Sequence, residues 1–116
     1  LISILLYMVS EIKIIFFILI LIAVALEVIG DIFFKKWALE NKNILLVIGL
    51  IIYFIGTMFW AFSLKYEFLS KAISVFTILN LIIIVLVGVL MFKEDISLIN
   101  EIGIALGVVS IILIEI

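Results

Sequence analysis

Four long apolar runs separated by short charged breaks divide this chain, and they leave it very few folds. Each run is long enough to cross a hydrocarbon layer, which takes roughly 20 residues in a helix. Lipid offers no partner to a backbone N–H or C=O, so a segment inside it must be a helix or part of a closed barrel. None of the four runs alternates with the period of two that a barrel strand requires. An all-α integral membrane protein follows, with helices expected over residues 12–38, 44–64, 69–92 and 98–116. The breaks between them hold Glu40, Asn41, Lys42 and Asn43, then Lys65 and Glu67, then Lys93, Glu94 and Asp95. Such short connections make sequential helices antiparallel neighbours. Without proline, any bend must come from glycine or serine.

Composition agrees and excludes several kinds of chemistry. Apolar residues make up 70% of the chain and charged residues 14%, where a soluble domain is about half apolar. Absence of cysteine and histidine removes the common ligands of a metal centre and the usual proton shuttle of neutral pH. No nucleophile is paired with a base and no glycine-rich phosphate loop is present, so an enzyme is not expected. A net charge of −2 does not suit nucleic acid. Any proton chemistry therefore falls to carboxylates. Residues 1–11 are apolar but too short for a further span. They read as an N-terminal extension: an expression remnant, a continuation of the first helix or an interfacial segment.

Lysine carries all the positive charge, and its distribution bears on orientation. With four spans, Lys13, Lys65 and Lys71 fall on one side and Lys35, Lys36, Lys42 and Lys93 on the other. A bias this slight allows insertion in both directions, and with it an antiparallel homodimer of one gene product; the alternative is one fixed topology, set weakly by Lys35, Lys36 and Lys42.

Glu27 stands deep in the first span, in otherwise apolar surroundings. An acid at bilayer depth costs about 2.5 kcal/mol or more, so it marks a site unless it is merely structural. Helical spacing puts Glu27, Asp31 and Lys35 on one stripe, while the positions three and four before Glu27 are Val24 and Ala23. Hydrocarbon disfavours the charged form of a carboxyl that has no cation beside it. Such a group can hold a proton in one state and trade it for a cation in another. The structural alternative is a neutral Glu27 bonded to a neighbouring helix.

Three further faces carry polar or small residues. On the second helix, Gly49, Tyr53, Gly56, Thr57, Trp60 and Ser63 share one broad side, where Tyr53 can donate to a carboxylate or present its ring to a cation. Ser70, Ser74, Thr77 and Asn80 form a polar stripe on the third, flanked by Ile73 and Phe76. Ser and Thr can satisfy themselves on their own helix carbonyls, but Asn80 in mid-membrane needs a partner. The fourth carries Gly103, Gly107 and Ser110, small residues that let another helix approach closely.

Residues 12–116 resemble the small multidrug resistance family of four-helix transporters, within the drug/metabolite transporter superfamily. The likeness centres on Glu27, Val28, Ile29 and Gly30, followed by Lys35. The family's single membrane-embedded glutamate falls on Glu27, its second-helix tyrosine on Tyr53, and its fourth-helix glycines on Gly103 and Gly107. At the family's third-helix tryptophan this chain has Phe76, and in place of a Gly-x-Gly bend it has Ile78, Leu79 and Asn80. The resemblance implies a homodimer, usually antiparallel, in a bacterial or archaeal cell membrane. Its two glutamates would share one site for which protons and small organic cations compete. Glu27, Tyr53, Ser74, Phe76, Thr77 and Asn80 would line that site, Gly103, Gly107 and Ser110 would make the dimer contact, and the only driving agent would be the proton gradient. The Asn80 region also resembles the small subunits of lipid-linked aminoarabinose flippases, which gives a second expectation: an accessory or flippase-like subunit acting on a lipid-linked head group. A third is an assembly subunit with no transport of its own.

Overall fold

A computed structural model describes residues 1–116, the side chain of Glu115 apart. It holds four helices: α1 (Ile2–Glu40), α2 (Asn43–Ser63), α3 (Leu69–Met91) and α4 (Leu98–Glu115). Of these, α1, α2 and α3 are long and apolar enough to cross a membrane, whereas α4 is a shorter apolar helix. The high Ile and Val content would favour strands in water, but the need to pair every backbone group in lipid overrides that preference.

The first helix begins at Ile2 rather than at residue 12. Between Leu1 and Glu11 there is no proline, glycine or turn-forming pair to halt it, so residues 2–11 continue α1. At 39 residues α1 is about 58 Å long, well beyond the hydrocarbon thickness. Its burial starts only at Phe16, and residues 1–15 are exposed.

Each helix end has a visible cause. Asn41 adopts the left-handed conformation, φ 58°, and returns its N–H to the Trp37 carbonyl at 2.7 Å, which closes α1. Past Ser63, the N–H groups of Leu64, Lys65 and Tyr66 each reach back three residues, and the tightened turns end α2. Lys93, φ 53°, ends α3 by letting Glu94 donate its N–H to the Gly88 carbonyl at 3.1 Å. Ser97 caps α4, its hydroxyl oxygen accepting from the Asn100 N–H at 3.2 Å, with Glu101 in the first turn.

The chain divides into two units, Leu1–Leu69 and Ser70–Ile116. In the first, α1 and α2 pack antiparallel through a row of small residues. Phe16, Ala23 and Gly30 recur every seven positions on α1, as do Gly49, Gly56 and Ser63 on α2, and all six are buried. A seven-residue spacing stays on one side of a helix for several turns. Side chains added to Gly30 or Gly49 would begin 3.1 Å from the other's carbonyl oxygen, so at that level the two backbones are almost in contact. The Phe34 ring covers Gly49 and packs on Tyr53, with ring centroids 5.8 Å apart. Close approach of this kind is how helices gain dispersion energy where the lipid is as apolar as they are.

In the second unit, α3 buries Ala72, Val75 and Gly88, while α4 buries none of its described residues. A groove of about 460 Å³ lies between Leu81 and Val85 of α3 and Ile99, Gly103 and Ile104 of α4. Gly107 faces Ile78, whose Cγ2 would lie 3.6 Å from a side chain placed there.

Candidate functional site

Helical geometry puts the buried residues of α1 on one stripe, Phe16, Ile20, Ala23, Val24, Glu27, Val28 and Gly30. Glu27 is the one ionisable member of that stripe. It is 5% exposed, and the small residues around it are the reason α2 can come so near. A side chain on Gly56 would begin 3.0 Å from both Glu27 Cγ and Leu26 Cβ, and 3.3 Å from the Ala23 carbonyl oxygen. Gly56 thus leaves room for the stem of the glutamate between the helices.

The next residue on α2 supplies the polar partner. Thr57 Oγ1 lies 3.3 Å from Glu27 Oε1 and also 3.0 Å from the carbonyl oxygen of Tyr53, one turn earlier on its own helix. Tyr53 lies one turn before Thr57 on α2, where the charges of Glu27 and Asp31 both act on its phenol. Its ring is held from behind by Phe34, and Gly30 leaves the space its Cβ and Cδ2 occupy, 3.3 and 3.2 Å from where a Gly30 side chain would begin. Asp31, one turn beyond Glu27, is half-buried. A buried carboxyl, a hydroxyl on it, a phenol near it and a second acid a turn away are groups that can hold a proton or an organic cation. Among the described residues no cluster of three or more acidic side chains could hold a metal ion.

Of the residues expected to line a site, Glu27 and Tyr53 come together in the first unit. Ser74, Phe76, Thr77 and Asn80 lie on α3, in the second. Ser74 donates its hydroxyl to the Ser70 carbonyl at 2.8 Å, the local bond that serine makes inside a helix. Asn80 is different: its Oδ1 is buried and has no partner among the described residues. On α4, Ser110 turns its hydroxyl to the Leu106 carbonyl at 2.9 Å, and a side chain built on Gly103 would meet nothing within 4 Å. Thr57 is the residue that the expected site omits. Its signal is the seven-residue recurrence on α1 and α2, which sets the register of the two helices and brings positions 56 and 57 to Glu27.

A family model described as Small Multidrug Resistance protein matches residues 15–113. That stretch begins where burial on α1 begins, one residue before Phe16. No curated protein and no solved structure matches the chain.

Proposed function

The chain belongs to the small multidrug resistance family of multi-pass membrane transporters, and from that premise we propose that it is a proton-coupled antiporter exporting small or hydrophobic organic cations across a bacterial or archaeal cell membrane. The observation that carries the proposal is Glu27: an acid 5% exposed on a membrane-spanning helix, bonded to a hydroxyl. A carboxyl in such a place is stable neutral, and ionises at little cost only when a cation arrives to replace its proton. Proton and substrate then exclude one another at one group. Alternating access driven in this way needs no cofactor other than the proton gradient. Tyr53 offers the cation a ring face and a phenol beside the carboxylate.

The test is proton release from the detergent-solubilised protein on adding a panel of organic cations at fixed pH. The proposal expects release in proportion to the cation bound. Folded protein that binds a cation without releasing protons would refute the exchange.

The functional unit in this proposal is an antiparallel homodimer joined through α4. Gly103 supports that, because a side chain built there would meet none of the described residues within 4 Å, and the near balance of lysines between the two sides permits both orientations. Gly103→Leu should leave the single chain folded and weaken self-association about tenfold, since forcing a larger side chain into a close helix contact costs about 1–3 kcal/mol. Cross-linking yield against protein concentration measures this. An undiminished dimer would remove α4 from the contact.

A second reading draws on Asn80. An unpartnered buried amide oxygen suits a donor from outside the chain, as a flippase-like or accessory subunit handling a lipid-linked head group would use it. That reading requires a partner protein and expects little from changes at Glu27.

A further inference from the structure

The Thr57 hydroxyl has one hydrogen and two acceptors in reach, Glu27 Oε1 at 3.3 Å and the Tyr53 carbonyl oxygen at 3.0 Å. One hydrogen cannot serve both. Both contacts are satisfied together in a single state: Glu27 is neutral and donates its own O–H to Thr57 Oγ1, while Thr57 donates to the Tyr53 carbonyl. Once Glu27 is ionised it has only acceptors to offer. The Thr57 hydrogen must then turn toward Oε1, where it makes the stronger, charge-assisted bond. Leaving the Tyr53 carbonyl costs little, because inside α2 that oxygen already accepts a backbone N–H one turn on.

We propose that Thr57 is the positioning residue of the exchange, a hydroxyl that reverses its hydrogen bond as Glu27 gives up a proton for a cation and so keeps the carboxyl in place in both states. The inference rests on Glu27 being the exchange site. Thr57 neither gains nor loses a proton: its hydrogen changes acceptor, and the proton that departs comes from Glu27 and leaves to water. On the two helices packed together here, the other ionisable groups whose charges act at this place are Asp31 and the Tyr53 phenol; the second acceptor of Thr57 is the Tyr53 backbone, so a change to the phenol leaves the reversal possible. The neighbouring Gly56 lets the Glu27 stem lie against α2, since a side chain there would begin 3.0 Å from Glu27 Cγ. A pairing set thirty residues apart in sequence, and held by close backbone contact, is suited to repeat the same geometry at every turnover.

The test compares Thr57→Val, which keeps the shape and removes the hydroxyl, with Thr57→Ser, which keeps the hydroxyl and removes the methyl. Infrared difference spectra on adding a bound organic cation report the carbonyl stretch of the protonated carboxyl that disappears, assigned to Glu27 by its absence in Glu27→Gln. In Thr57→Val the band is expected at higher frequency, the position of a carboxylic acid without its partner, and cation affinity at one pH is expected to fall about tenfold, as for loss of a hydrogen bond to a charged group. Thr57→Ser should return both toward the original values. An unmoved band and unchanged affinity in Thr57→Val would overturn the proposal. So would equal losses in both variants, which would trace the effect to packing of the methyl. Should Glu27→Gln itself keep the band and the cation affinity, the exchange site is elsewhere and both readings fall; loss in Glu27→Gln with no effect of Thr57→Val removes this inference alone.

Discussion

Glu27→Gln is expected to abolish proton release on cation binding altogether and to lower cation affinity by about 30-fold or more, while the protein remains folded and the proposed dimer intact. Glutamine preserves the shape of the side chain and can still accept from Thr57, so the packing against Gly56 and the hydrogen bond at 3.3 Å both have a counterpart in the variant. What it removes is the ability to carry a charge. Taking one partner out of a buried charge pair costs about 2–5 kcal/mol, of which the lower bound already corresponds to about 30-fold in affinity. The variant should stay folded, because glutamine keeps the shape of the side chain and places no charge in hydrocarbon. Cation binding by calorimetry, proton release at the same time and a cross-linking assay separate these effects. Coupled uptake retained in the variant would show that another group, with Asp31 first in line, carries the proton.

Much of this molecule is legible in its amino-acid sequence, and the parts that are not have a common cause. Helix number and class follow from the solvent: in lipid a run of Ile, Leu, Val and Phe has no other way to satisfy its backbone, so the four helices stand out in spite of their β-branched content. Glu27 is legible for the same reason, as the one acid that the surrounding hydrocarbon cannot solvate. The start of α1 is not, because a helix continues until something stops it and residues 2–11 contain nothing that does. The hydroxyls are ambiguous in principle. Ser74 and Ser110 spend theirs on carbonyls of their own helices, whereas Thr57, with the same local option, also reaches an acid on another helix. That choice depends on how close a second backbone comes, which no single helix encodes. The information resides in the pair: Ala23 and Gly30 on one run, Gly49 and Gly56 on the next, each seven apart, give the register that sets Thr57 against Glu27.

The same register makes Gly56 the glycine whose loss should matter most to the carboxyl of Glu27. Alanine there sets two terms against each other. It gains about 1 kcal/mol in helix propensity over glycine, and it loses about 1–3 kcal/mol to overpacking, because its Cβ would start 3.0 Å from Glu27 Cγ and Leu26 Cβ and 3.3 Å from the Ala23 carbonyl oxygen. The side chains can yield a few tenths of an ångström; the carbonyl cannot, short of α1 moving as a whole. Valine removes the ambiguity. Its branched Cβ gives back part of the propensity gain, and its methyl groups enter the space that the glutamate stem fills. Gly56→Val should therefore force α2 away from α1, part Thr57 from Glu27, and cost about 3 kcal/mol or more of stability in detergent unfolding. Cation affinity should fall with it, as far as in Thr57→Val or further, since the carboxyl loses both its hydroxyl and its fitted position. A Gly56→Val protein as stable as the original, with its cation affinity intact, would mean that the close packing of α1 on α2 is not what holds the glutamate in place.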